Sequence, residues 1–180
     1  MKGNNISVLY APSIASQFKA SAGQLETGLM QLGFTRVYEV AQGADICASK
    51  EADEFTQRMK RGDKLMTTSC CSAYVRAVHI HVPDLDACVS ETRSPMHYAA
   101  QLAKEENPAC ITVFIGPCLA KRREGFDDEF VEWGKYSYIV IPAGYHKFEI
   151  EGNNSLIYIF VALTNCIEAS ILGNILPLAN

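Results

Sequence analysis

The chain contains a single tryptophan, and none of its seven cysteines forms a Cys-x-x-C pair. That absence removes the usual sequence sign of a dithiol oxidoreductase or a zinc ribbon. Charge is scarce and nearly balanced: 20% of the 180 residues are charged and the formal net charge is -4. Such a balance provides no basic field for nucleic acid or an anionic bilayer. Long apolar runs are also missing. The tail "SLIYIFVALTNCIEASILGNILPLAN" is interrupted by Asn165, Glu168, Asn174 and Pro177, and its unbroken run is far shorter than the roughly 20 residues of a membrane span. The opening "MKGNNISVLYAPS" lacks the apolar core and cleavage pattern of a secretory signal. A cytoplasmic protein with no nucleic-acid or membrane partner is therefore expected.

No repeat or low-complexity tract divides the chain, and its length suits one well-filled domain. Strand-like and helix-like patterns alternate. "ISVLYAP" (6–12) reads as a buried strand, and "GQLETGLMQLG" (23–33) puts Leu25, Leu29 and Leu32 on one helical face before a glycine stop. "RVYEV" (36–40) is a second strand, and 44–60 a helix with Ala52, Phe55 and Met59 at core spacing. "KLMTTSC" (64–70) is expected as a third strand leading into a helix over 72–82. Ser94 should cap a further helix that has Pro95 at its first position and Met96, Ala99, Ala100 and Ala103 facing inward. "CITVFIGPC" (110–118) is the fourth strand. The pattern predicts an α/β fold, with a mostly parallel sheet of four or more strands flanked by helices on both faces.

Ligands of such sheets sit beyond the carboxyl ends of the strands. Ala11-Pro12, Cys70-Cys71 and Pro117-Cys118 all fall there, so thiols from separate strands should converge on one pocket. A thiol at a helix mouth meets the positive end of the helix, which favours the thiolate that binds metal. Lys121 adds a cation beside it. Cys47, Cys88 and Cys110 read instead as small buried hydrophobes. An odd cysteine count in a reducing compartment argues for thiols, metal ligands or redox groups rather than disulfides.

These segments resemble a family. "TTSCCSAYV" (67–75) looks like the first cysteine motif of the catalytic domain of iron-only (diiron) hydrogenases, and "GPCLAKRREG" (116–125) like the second. "APSIASQF", "GFTRVYEVAQGADICASKEADEFTQR" and "VPDLDACVSETRSPM" match the same domain in the same order. The resemblance implies a first lobe over 1–125 and a divergent segment over 126–180 that packs on or extends the same domain. It implies a 4Fe-4S cluster, joined to a diiron subcluster, that interconverts hydrogen with protons and electrons. Cys71 and Cys118 would be cubane ligands. Cys70 would be the last proton carrier, with Glu51, Glu54, Arg58 and Ser90 on the outward path. Ala11, Pro12, Pro117 and Lys121 would line the diiron unit. Glu51, Glu54 and Arg58 have i, i+3, i+7 spacing, a stripe that can be partly buried and share protons or be a solvated charged face.

The chain also departs from the family pattern. Gly116 stands where catalytic members have methionine, and Met96 where they have glutamine, features similar to the sensory branch. The third motif, a glycine-rich Cys-x-x-x-Cys segment, is absent, and only Cys166 lies downstream. Since a cubane takes four thiolates, an incomplete site and an isolated chain of little activity are expected. A second lobe or a homodimer would complete the site, and a separate carrier such as ferredoxin would bring electrons. The other readings are a non-catalytic iron-sulfur or regulatory relative and a thiol-redox or zinc-binding protein. Adjacent cysteines make poor disulfide partners, which disfavours the thiol-redox form.

Overall fold

The structure, a computed structural model, describes residues 5–17, 20–127, 140–141, 145–152 and 155–162. Its centre is a parallel sheet of three full strands: β1 (Ile6–Tyr10), β2 (Arg36–Glu39) and β3 (Ile111–Ile115). β1 lies in the middle, pairing Ser7 with Arg36 on one side and Ile6 with Ile111 on the other. A two-residue strand, β4 (Val140–Ile141), pairs in parallel with the end of β3, giving the order β2-β1-β3-β4. β5 (Tyr145–Gly152) and β6 (Ser155–Ala162) form an antiparallel pair of their own.

β1 buries all five of its residues, as a strand covered on both faces must. Ile6, Val8, Tyr10, Val113 and Ile115 pack against Leu25 and Leu29 of α1 (Ala22–Gln31). Leu9 and Phe114 pack with Met96, Ala99, Ala100 and Ala103 of α4 (Pro95–Glu106) and with Val40, the first residue of α2 (Val40–Lys60). Ser94 caps as expected, and Ser21, which the sequence reading did not pick out, closes a capping box. Ser21 Oγ accepts from Gln24 N at 3.3 Å while the Gln24 side chain accepts from Ser21 N at 2.9 Å, and Ser94 caps α4 ahead of Pro95. Gly33, at φ 102°, follows α1 in the left-handed conformation that suits glycine at a helix end. No helix among the described residues is long and apolar enough to cross a membrane.

Two expectations are corrected. Residues 64–70 do not join the sheet; only Thr67 forms a parallel bridge, to Val89. The segment is polar where a buried parallel strand must be apolar, and Leu65 is 48% exposed. The second correction concerns α2, which begins at Val40 rather than near 44. Its stripe Ala52, Phe55 and Met59 is not core: Ala52 and Phe55 are exposed and Met59 is half-buried. The face turned inward carries Gly43, Cys47 and Arg58, all buried, with Glu51 and Glu54 partly so. The physical reason is the partner. The N-terminal half of α2 packs on α4, whereas its C-terminal half meets loop backbone at 67–70 and 87–92, whose N–H and carbonyl groups need polar company.

Candidate functional site

Ala11 leaves β1 at the carboxyl edge, its N–H donating to Ile115 O at 2.9 Å, and Pro12 follows exposed. Pro117 and Cys118 follow β3 on the same edge, both exposed, and lead into α5 (Leu119–Asp127). Cys71, also exposed, is the N-cap of α3 (Ser72–His81) and makes no side-chain capping bond. α5 returns to the first motif through Lys121, whose Nζ donates to Cys70 O at 3.2 Å. The two cysteine motifs, 51 residues apart at these positions, are thus joined directly. A Cβ on Gly116, the residue before Pro117, would stand 2.6 Å from Phe114 Cζ, so the ring occupies the room a side chain would need. Met96 is wholly buried in the same cluster as Phe114.

Of the three cysteines expected to be buried, two are and the third is not. Cys47 and Cys110 are buried, and Cys88 is half-buried. Burial, followed by the nearby Glu51 and Cys70, pushes the Cys47 thiol up to about 11 even though Lys121 pulls the other way. At neutral pH it stays a protonated donor to Arg93 O, 3.3 Å away. Cys166 lies outside the described residues.

A polar line starts at Cys70. Its Sγ lies 3.3 Å from Thr68 Oγ1, and Thr68 Oγ1 lies 2.8 Å from Glu51 Oε1. A hydroxyl has one proton; when Thr68 gives it to Glu51, the Cys70 thiol is the donor to Thr68. Glu51 also accepts from Ser69 N at 2.8 Å, and Ser69 Oγ donates to the Thr92 carbonyl. From there Thr92 Oγ1 and Ser90 Oγ donate to Glu54 Oε2 at 3.0 and 2.6 Å, while Glu54 Oε1 accepts from Glu91 N and pairs with Arg58 at 2.6 Å. Burial alone would raise the Glu54 carboxyl. The bonds from Ser90, Glu91 and Thr92, with the Arg58 charge, outweigh it and hold the group below the ordinary carboxylate range. Arg58 itself is 4% exposed and donates to Ala87 O and Val89 O at 2.9 Å each.

The structure therefore places Glu54, Arg58 and Ser90 in one cluster and Cys70 and Glu51 in another, with Ser69 and Thr92 between them. Sequence reading missed Thr68, Ser69, Thr92 and Glu124. The first three are small hydroxyl residues with no periodic signal of their own. Glu124, at i+3 from Lys121, could have been found as a helical ion-pair partner.

The expected strand before Cys70 and Cys71 is absent, so of these thiols only Cys118 follows a strand; in this α/β fold Lys121 ties the segment after β3 to the two cysteines at the mouth of α3. Residues 4–140 match the iron-only hydrogenase large subunit, C-terminal domain, and the chain belongs to that family. It is 32% identical to iron hydrogenase 1 of Clostridium pasteurianum over 111 residues, 57% of this chain and 19% of that protein. It is 29% identical over 125 residues to the periplasmic [Fe] hydrogenase large subunit of Nitratidesulfovibrio vulgaris, covering 63% and 30%. The apo [FeFe]-hydrogenase of Chlamydomonas reinhardtii superposes with a TM-score of 0.67 at 29% identity, over 77% of this chain and 40% of that one. The chain thus matches less than a third of the length of either curated relative. The likeness is to the catalytic domain and does not single out the sensory branch.

The donor set decides how well the family's cluster fits. A cubane takes four thiolates. Among the described residues no group of three or more histidine, cysteine, aspartate or glutamate side chains is placed to hold a metal. The exposed thiols of Cys71 and Cys118 suit a cluster ligand, yet two do not make a complete set.

Proposed function

We propose that this chain provides one half of an iron-only hydrogenase site. Cys71 and Cys118 are its contribution to a 4Fe-4S cubane, and Ala11, Pro12, Pro117 and Lys121 are the wall facing the diiron unit. Cys70 and Glu51, linked by the Thr68 hydroxyl, form one stretch of the proton line, and Ser90, Glu54 and Arg58, with the Thr92 hydroxyl, form a second; Ser69, bonded to the Thr92 carbonyl, holds the two stretches side by side. The remaining thiolates come from a second lobe or a second copy of the chain, and electrons from a separate carrier such as ferredoxin. When bound, the cluster supplies the hydrogen chemistry. What the chain's own residues do is hold one thiol after β3 and others at the mouth of α3, and keep hydrogen-bonded groups in place outward from Cys70.

The observation that supports this most is the bond from Lys121 Nζ to Cys70 O, which brings both cysteine motifs to one place. The test is anaerobic reconstitution with iron and sulfide, read as iron retained per chain. Cys71→Ser and Cys118→Ser should each lose at least about half of the retained iron, since thiolate is the cluster ligand. Cys47→Ser and Cys110→Ser should retain it. Equal iron in all four variants would sink the assignment.

A further inference from the structure

Lys121 is held more firmly than the proposed wall would require. Its side chain is 12% exposed, and its ammonium donates to Glu124 Oε2 at 2.6 Å as well as to Cys70 O. Glu124, 15% exposed, is in turn fixed at its other oxygen, where Oε1 accepts from the hydroxyl of Ser94. Ser94 is 5% exposed and is the N-cap of α4, its Oγ also accepting from His97 N. A continuous chain of contacts therefore runs from the start of α4, through α5, to the peptide that precedes α3. Both carboxylate oxygens of Glu124 are used, one by a cation and one by a hydroxyl, which leaves it little rotational freedom.

We propose that Glu124 and Ser94 are positioning residues. Ser94 orients Glu124, and Glu124 holds the Lys121 ammonium on the Cys70 carbonyl, locking the second cysteine motif onto the first. The reading rests on the proposed function only for the use to which Lys121 is put; the clamp itself is a property of the chain. Without it, Lys121 would swing toward solvent, as a flexible four-carbon stem does when nothing holds its end.

The full chain tests this by reductive methylation with formaldehyde and dimethylamine-borane, resolved by peptide mass spectrometry, with exposed Lys60 as the internal reference. Glu124→Gln should raise the Lys121-to-Lys60 labelling ratio about fivefold, the scale expected when a charge-assisted bond is lost at a partly shielded site. Ser94→Asp keeps the N-cap acceptor but sets a like charge against Glu124, so the ratio should rise although α4 remains capped. Ser94→Thr retains the hydroxyl and should stay near the unmodified ratio. An unchanged ratio in both Glu124→Gln and Ser94→Asp would overturn the proposal. Should Glu124→Gln fail to fold, the Ser94 pair decides it: equal ratios for Asp and Thr refute the clamp, and a raised ratio for Asp alone supports it. Iron retention on the same samples separates the two readings. An unmodified chain that binds no iron refutes the cluster assignment and leaves the Lys121 comparison standing.

Discussion

Gly43→Ala is the substitution from which the packing of α2 on α4 can be measured. A Cβ at position 43 would stand 2.1 Å from Pro95 O, 2.6 Å from Ala99 N and 3.1 Å from Ala99 Cβ. The first two are backbone atoms, so no rotamer change relieves them, and the helices must part by about 1 Å to restore ordinary van der Waals separation. Ala99 is fully buried and Gly43 is buried on the facing helix, so the parting strips contacts along the whole pair. Overpacking of this kind costs about 3 kcal/mol, while alanine regains about 1 kcal/mol over glycine in a helix interior. The net expectation is destabilisation of about 2 kcal/mol, read as a lowered urea midpoint at unchanged slope. Gly23→Ala is the control. Gly23 lies in α1 with nothing within 4 Å of its Cβ position, so alanine there should stabilise by about 0.5 kcal/mol. A Gly43→Ala chain as stable as the unmodified one would refute the close approach of α2 to α4.

Arg58→Ala should cost about 3 kcal/mol, because it leaves Glu54 without its charge partner and removes the donors to Ala87 O and Val89 O. Arg58→Lys should recover only part of that, since an ammonium cannot reproduce the planar fork; urea midpoints within about 1 kcal/mol of the unmodified chain would contradict the buried role. At alkaline pH, three groups act in one direction. Burial first, then nearby acidic groups, push Tyr10 and Tyr38 from 10.0 up to about 12, and Cys47 rises from 9.0 to about 11. Each releases its proton more readily unfolded than folded, so their contribution is intact below pH 9 and is lost as pH climbs toward 12. Tyr38→Phe should flatten that fall, and an identical alkaline profile would argue against the shift at Tyr38. Glu54 acts in the opposite sense: its lowered carboxyl stabilises above the ordinary carboxylate range and is lost as pH falls, so Glu54→Gln should blunt acid unfolding.

What was legible from the sequence depended on whether a residue's role repeats along the chain. Leu25 and Leu29, the alanines of α4, the Ser94 signal and the apolar strands β1 and β3 all follow periodicity or capping rules, and they stand where those rules put them. Residues 64–70 deceived because a short apolar-polar run before a helix is the pattern of a strand entering a crossover. The chain instead spends Thr68 and Ser69 on Glu51, and the backbone of Thr67 on Cys88 and Ser90. The sequence pattern marked the cysteines and Lys121, while the roles given to Glu51, Glu54, Arg58 and Ser90 came through the resemblance. Cysteines and a lysine at strand ends indicate a pocket, while the hydroxyls that connect them carry no spacing rule and emerge only once the chain is folded.

The rotation of α2, about a quarter turn from the expected face, shows why the site has this character. A helix that laid Phe55 and Met59 inward at this point would have left the backbone of 67–70 and 87–92 facing hydrocarbon, with carbonyls and N–H groups unpaired at a cost of roughly 1–3 kcal/mol each. Turning Glu51, Glu54 and Arg58 inward satisfies Ser69 N, Glu91 N, Ala87 O and Val89 O instead. The same choice leaves Phe55, on the flank of the inward face, 48% exposed. Ionisable groups are thereby fixed beside the first cysteine motif by the needs of loop backbone alone. Polar groups beside the first cysteine motif are in this fold a consequence of how the loops that present Cys70 and Cys71 are held, so removing those groups should also loosen the two thiols.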